Sequence, residues 1–278
     1  PISRITDKPI ILQLHNDFLN SETPGGEDIV SKCYKIVANS EYIKKRICTI
    51  SNVSPEKVYV NMNCLDNSSF EFPSEQQKNQ IITRFNIDIH KKNIIYVGRI
   101  AKVKGVKELL LALKNIKDND KWHLLIVGGK WFSSNYKDKY YRELSSISKD
   151  FKEKISFLGY VKHEDIKTLY AISSVAVVPS IWEEPAGRVV LEAEAMKIPV
   201  VAANSGGIPE YVNEKSAIII ERDKLFIDNL SKGIEELIND TDKAALMGIE
   251  GLKYAQLFTA ERYYTEILKI IEEKNEKQ

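Results

Sequence analysis

The chain is expected to be α/β, with parallel sheets covered by helices, and three observations predict it. From residue 91 onward six short apolar runs, at 93–97, 123–127, 155–158, 175–178, 199–203 and 217–220, alternate with stretches of helical period. Three more runs, at 9–14, 35–38 and 57–60, alternate with helices expected near 27–32 and 40–46. Glycine turns follow the strands, as in Gly98-Arg99 and Gly128-Gly129. Strands separated by helices need crossover connections, the pattern of a doubly wound sheet of Rossmann type.

Length and composition frame that expectation. With 278 residues, 43% of them hydrophobic, the chain can bury one large or two smaller cores. A formal net charge of +1 gives no global pull toward nucleic acid, although Lys102, Lys104 and Lys107 cluster locally. Cys33, Cys48 and Cys64 have no metal-type spacing and leave one thiol over, which suits a reducing compartment; all three are expected to be buried thiols. The four histidines, His15, His90, His123 and His163, have no ligand spacing either. No run approaches eighteen apolar residues and the start PISRITDKP has no apolar signal segment, so neither a membrane span nor a secretion signal is expected. A chain that begins at Pro1 is compatible with a fragment.

Taken in order, residues 1–90 offer three strands, few for an independent α/β domain. The first strand closes on His15, and a histidine at the C-terminal end of a parallel strand sits where open sheets bind ligands; a solvated loop histidine is the alternative. Asn39 or Ser40 caps the helix through Arg46. After the strand at 93–97 comes GRIAKVKG, in which Arg99 and Lys104 stand five apart between Gly98 and Gly105. Two cations there match two phosphates; a solvated basic loop is the competing use. Asp118-Asn119-Asp120 imitates a D-x-D metal motif but precedes a strand, so it is taken as a turn. Trp131, Phe132 and nearby tyrosines suit interdomain packing, with a glycan or membrane surface as the alternative.

The most informative stretch is SIWEEPAGRVVLEAEAMKIPVVAANSGGIPE, Ser180 to Glu210. Pro185 and Gly187 open a helix in which Val189, Ala193 and Met196 are expected to face the core, with Arg188, Glu192 and Ala195 opposite. A helix start has free N–H groups and a positive dipole end that favour phosphate. Glu192 lies five residues after Gly187, roughly 7 Å along the axis, about the reach from a nucleotide's phosphates to its ribose hydroxyls. A surface pair between Glu192 and Arg188, worth roughly 0.3–0.5 kcal/mol, is the plainer alternative. After helices expected at 223–238 and 240–257, residues 260–273 carry an apolar stripe including Tyr263, Ile267 and Ile271.

Glu184 and Glu192 stand as E-x7-E within PSIWEEPAGRVVLEAEAMKIPVV, followed by NSGGIPE, and this resembles the signature of the retaining GT-B glycosyltransferases of family four, the group 1 type. The resemblance covers residues 91–278 and, more loosely, 9–90. It implies a GT-B fold: a complete Rossmann-like donor-binding domain at 91–258, the later part of an N-terminal acceptor-side domain and linker at 1–90, and a C-terminal helix at 259–278 crossing back. Roughly the first third of a full enzyme would then be absent. It further implies that Arg99 and Lys104 neutralise the leaving diphosphate and that Glu184 and His15 lie by the donor sugar. Glu192 would hold the ribose, with backbone of Gly98, Pro185, Ala186, Gly187, Arg188, Val189 and Val190 around the sugar and diphosphate. FLGYV resembles the segment that meets the nucleobase, with Tyr160 a candidate for stacking or an ordinary strand-end aromatic.

The implied activity is transfer of a hexosyl or N-acetylhexosaminyl group from a nucleotide-diphosphate sugar to a glycan or lipid-linked glycan acceptor, such as a cell-surface polysaccharide precursor. UDP is favoured by association with bacterial glycan assembly. No metal cofactor is expected, and the place of work is the cytoplasm, including the inner face of the membrane. Peripheral membrane contact and self-association through the C-terminal stripe are further expectations. A nucleotide-sugar binding module without turnover is the main alternative. A hydrolase would need Glu184 and Glu192 opposed across a substrate, and a nicotinamide dehydrogenase would need G-x-G-x-x-G, which GRIAKVKG lacks.

Overall fold

In a computed structural model of the chain, residues 8–16, 19, 23, 25–117, 121–129, 139–151 and 153–273 are described. The Asp118–Asp120 turn and the Trp131–Phe132 loop lie outside them. The strands form two parallel sheets. The smaller, of order β1-β2-β3, comprises β1 (Ile11–Leu14), β2 (Lys35–Ala38) and β3 (Val58–Val60), in register Leu14↔Ala38 and Ala38↔Val60. The helices α1 (Gly26–Lys32) and α2 (Glu41–Ile50) connect these strands. Ser40 caps α2 by accepting the Ile43 N–H at 3.1 Å, and Ile43 and Ile47 fill a small core with Val30, Ile36 and Val58.

The larger sheet has order β6-β5-β4-β7-β8-β9. Its strands are β4 (Lys92–Val97), β5 (Trp122–Val127), β6 (Ile155–Gly159), β7 (Val175–Val178), β8 (Val200–Ala203) and β9 (Ala217–Ile220), every pair parallel. Parallel strands are covered on both faces and so read as continuous apolar runs; β5 (WHLLIV) is buried at all six positions. Alternate residues of each strand enter opposite cores. Ile94, Tyr96, Leu124 and Ile126 pack with α4 (Val106–Lys114), α5 (Lys139–Ser148) and α8 (Phe226–Asn239). Ile95, Leu125 and Val127 pack with α6 (His163–Ala171), α7 (Arg188–Ala195) and α9 (Thr241–Ala255).

Three features differ from expectation. A helix the sequence reading left out, α3 (Glu75–Phe85), lies inside the span assigned to the N-terminal part, yet its Ile81, with Ile87 just beyond, belongs to the second core, against α6. In the last helix, α10 (Ala260–Glu272), the buried residue is Ile270, while Ile271 is 49% exposed. The helix does cross back to the small sheet. Asn61 Nδ2 donates to the Tyr263 carbonyl at 3.1 Å, and Lys35 Nζ to those of Ile270 and Glu273. Of the cysteines only Cys33 is buried; Cys48 and Cys64 are partly exposed free thiols, Cys48 at the edge of the small core and Cys64 in the irregular stretch after β3.

Candidate donor-binding site

In the large sheet the strand order reverses between β4 and β7, which are neighbours although far apart in sequence. Such a switch point opens a crevice beyond the strand ends, where α/β sheets take ligands. Both loops singled out in the sequence flank it. Gly105, at φ 73°, lets the loop after β4 lie directly on the loop after β7: a Cβ there would fall 1.8 Å from the Pro179 carbonyl oxygen. The loops are joined by the Ile181 N–H, which donates to the Val103 carbonyl at 3.0 Å, and Ser180 Oγ lies 3.2 Å from the same carbonyl oxygen.

That joint brings Lys104 onto Glu184. The ammonium donates to both carboxylate oxygens, at 2.6 and 2.7 Å, with the side chains 22% and 11% exposed. Ser180 Oγ donates to the same carboxylate. An ammonium has three donors, so one N–H of Lys104 stays available. Behind Glu184 runs the glycine turn. Gly207 N–H donates to the Glu184 carbonyl at 2.7 Å, and Gly206, at φ 53°, packs so closely that a Cβ would lie 2.1 Å from that oxygen. Glu183 accepts the Gly206 N–H at 2.7 Å and pairs with Arg222. Arg222 also donates to the carbonyls of Asn204 and Ile181, at 2.8 and 3.1 Å. Sequence reasoning missed Ser180, Glu183 and Arg222 as supports of this loop; the spacing of Ser180 four residues before Glu184 was the available signal for the first.

The helix α7 starts at Gly187 with no side-chain cap and no acid in its first turn. The N–H groups of Val190 and Leu191 go to the Gly187 carbonyl, at 2.9 and 3.3 Å. Those of Gly187, Arg188 and Val189 have no acceptor among the described residues, so the free donors precede Val190. Pro185 is engaged elsewhere, its carbonyl accepting Ser40 Oγ at 2.6 Å; Ala186 is half-buried beside it. The helix is covered more completely than the expected two faces. Ala195, placed outward, is fully buried, Val189 is only half-buried, and Glu194 is fully buried. An eight-residue helix wedged between sheet, α6 and α9 has little surface left for a polar face.

Glu192 keeps the plain contact the sequence allowed, accepting Arg188 Nε at 3.2 Å, but its side chain is only 14% exposed. Burial pushes its carboxyl above the usual range, opposed by the charges of Arg188 and His163. Arg99 is exposed, its turn held by Tyr96, whose hydroxyl donates to the Arg99 carbonyl at 2.8 Å. His15 is exposed at the end of β1, where the sequence placed it, its carbonyl 3.4 Å from Asn39 Nδ2. Tyr160 is 49% exposed just after β6. No hydrogen bond or ion pair joins any of the three to Lys104 or Glu184 among the described residues. None of those residues forms a group of three or more His, Cys, Asp or Glu side chains able to hold a metal ion, and none of their helices is long and apolar enough to cross a membrane.

With this geometry in view, similarity to known proteins is informative. The chain is 29% identical over 249 residues to spore coat protein SA of Bacillus subtilis (strain 168), covering 87% of this chain and 66% of that protein. It is 26% identical over 287 residues to the putative glycosyltransferase YtcC of the same organism, covering 96% and 68%. The chain thus spans about two thirds of the length of these relatives. Its fold superposes on a glycosyltransferase from Rickettsia africae ESF-5 with a TM-score of 0.86 at 21% identity, covering 99% of this chain and 73% of that one. It superposes on Anabaena Alr3699/HepE, solved in complex with UDP and glucose, with a TM-score of 0.80 at 21% identity, covering 98% and 73%. The α/β fold with parallel sheets is therefore that of solved GT-B glycosyltransferases. A model of the glycosyl transferases group 1 matches residues 77–254, well over half of the chain and every element that flanks the switch point; the chain belongs to that family.

Proposed function

We propose that the protein transfers a hexosyl or N-acetylhexosaminyl group, with retention, from a UDP-linked donor to a glycan or lipid-linked glycan acceptor. The observation that carries this is the convergence at one crevice of Lys104 with a spare donor, Glu184 held against it, and the uncapped start of α7 leading to Glu192. HepE, whose fold the chain shares, is solved with UDP and glucose, which favours uridine. On this reading the free N–H groups of Gly187, Arg188 and Val189 meet the diphosphate, where the helix dipole adds to them. Lys104 and Arg99 stabilise the charge that develops on the departing diphosphate, the kind of preorganised stabilisation that supplies much of catalysis. Glu184 and His15 sit by the donor sugar, and the acceptor hydroxyl enters on the face the diphosphate leaves. Glu192 accepts the ribose hydroxyls through its ionised form. No metal is required in this scheme, and the work is done in the cytoplasm or at the inner membrane face.

Calorimetric titration with UDP tests the site. Lys104→Ala is expected to lower UDP affinity about 10- to 100-fold, the loss of one charge-assisted hydrogen bond. Because burial raises the Glu192 carboxyl, UDP affinity is expected to weaken on acidification well before an ordinary carboxylate would protonate, and Glu192→Gln to remove that dependence. UDP binding untouched by both changes ends the assignment. Turnover of a panel of labelled UDP-sugars then separates an enzyme from a binding module.

A further inference from the structure

Glu183 and Arg222 take no part in the donor contacts proposed above, yet between them they hold both ends of the glycine turn. Arg222 Nε donates to the Asn204 carbonyl at 2.8 Å, at the entry to the turn just after β8. Glu183 Oε2 accepts the Gly206 N–H at 2.7 Å, two residues further on. The two side chains also pair with each other, Arg222 Nη2 donating to Glu183 Oε1. Arg222 Nη1 reaches the Ile181 carbonyl at 3.1 Å as well. One guanidinium thus joins the end of β9, the turn after β8 and the loop after β7.

Inside this clamp lies the backbone that aims Glu184. Ser205, between the two held residues, donates its hydroxyl to the Trp182 carbonyl and accepts the Glu184 N–H at 3.3 Å. On its other side Glu184 is held through its carbonyl, which accepts the Gly207 N–H at 2.7 Å. The fit is close: a Cβ at Gly206 would stand 2.1 Å from the Glu184 carbonyl oxygen and 2.7 Å from its nitrogen. A displacement of the turn therefore displaces Glu184, and its carboxylate with it. The groups proposed to meet the diphosphate are anchored elsewhere. Lys104 belongs to the loop after β4, and the start of α7 is seated by Gly187, where a Cβ would fall 2.8 Å from the Cβ of Tyr211. A partly exposed ion pair ordinarily contributes little, and the Arg222 and Glu183 side chains are 25% and 47% exposed. The weight of this pair lies in its geometry, since a guanidinium offers donors in fixed directions where an ammonium is a point charge.

We propose that Glu183 and Arg222 are positioning residues for the donor sugar. Their clamp fixes the direction of the Glu184 carboxylate, so that recognition of the sugar depends on it and recognition of the diphosphate does not. This rests on the placement of Glu184 by the donor sugar proposed above.

The test is calorimetric titration of the parent and its variants with UDP, UDP-glucose, UDP-galactose and UDP-N-acetylglucosamine, read as the affinity of the tightest UDP-sugar relative to that of UDP. Arg222→Ala and Glu183→Ala are each expected to lower that ratio about 10-fold, the equivalent of one hydrogen bond to the sugar, while UDP alone binds as it does to the parent. The double variant is expected to be no worse than the weaker single one, because either change opens the same clamp. Arg222→Lys keeps the charge beside Glu183 but offers one nitrogen in place of the fork, and is expected to stay defective. The positioning role is overturned if UDP and the UDP-sugars weaken in the same proportion, if the ratio is the same in all variants, or if Arg222→Lys behaves as the parent. In each of those cases weakened UDP binding by Lys104→Ala leaves the nucleotide site standing. If Glu184→Ala keeps the parent's ratio, the placement of Glu184 by the sugar fails and the positioning role with it. A parent that binds none of the four compounds ends both. Retained UDP binding shows that a variant is folded.

Discussion

The two sheets each bury one charged side chain completely, Lys35 in the small one and Glu194 in the large one, and they treat it in opposite ways. Lys35 Nζ donates to the carbonyls of Ile270 and Glu273 at the end of α10, and lies 4.9 Å from the centre of the Tyr59 ring. Its charge thus satisfies orphan carbonyls at a helix C-terminus, where cations are favoured. Glu194 accepts only the Ser216 hydroxyl, at 2.6 Å, and its Oε2 has no partner; Gly251 of α9 packs against its stem. The small sheet has a small core and is tied to the rest by polar contacts at helix ends. Another is the start of α2, where the N–H groups of Glu41 and Tyr42 donate to the Glu210 carboxylate at 2.7 and 2.8 Å. The large sheet, with two full cores, holds together around a buried acid that is cheaper to keep protonated.

The largest effect expected from this contrast is on the pH dependence of stability. Burial pushes the Glu194 carboxyl up to about 8, against the bond from Ser216. The unfolded chain releases this proton near pH 4.5 and the folded chain holds it to about 8. Its contribution is therefore full below pH 4.5 and is lost as pH rises through that window, by up to ~1.4 kcal/mol per pH unit and on the order of 5 kcal/mol in all. Glu194→Gln has no proton to lose, so its stability relative to the parent is expected to rise steadily from pH 5 to 8 in urea titrations. A parallel pair of profiles would mean that Glu194 is ionised or hydrated, and that the large sheet manages its buried charge as the small one does.

The second effect concerns Lys35. Lys35→Ala strips two helix-end carbonyls of their donor and is expected to cost about 2–3 kcal/mol. The loss should appear locally. Hydrogen exchange is expected to quicken in β1, β2 and α10, while β4, β5 and β7 keep their protection. Equal loss in both sheets would break the comparison, because it would make them one cooperative unit.

What was legible in the sequence follows from the same contrast. Strands covered on both faces, such as VVAA in β8, advertise themselves by composition alone, and the loops at the switch point by their glycines. The pairing of Lys104 with Glu184 was not legible, since the two are eighty positions apart and meet only because β4 and β7 are neighbours. Glu194 escaped notice for a related reason: a glutamate in a helix reads as surface, and only the packing of α7 against α9 changes that. Ala195 was put on the wrong side because periodicity presumes an exposed face, and α7 has almost none.

The smallest effect decides where the linker's helix belongs. The sequence EQQKNQIITRF has a single buried residue, Ile81, so its apolar pattern is too sparse to read. The capping box before it is explicit: Gln77 N–H donates to Ser74 Oγ at 3.3 Å, and Ser74 N–H donates to Gln77 Oε1 at 2.8 Å. Ser74→Ala is expected to cost about 1 kcal/mol. If α3 is part of the large unit, as the packing of Ile81 and Ile87 against α6 requires, that loss should lower the protection of α6 while the small sheet stays as it was. Lost protection in β1 and β2, with α6 unchanged, would move the boundary back toward residue 90 and make α3 an appendage of the acceptor side.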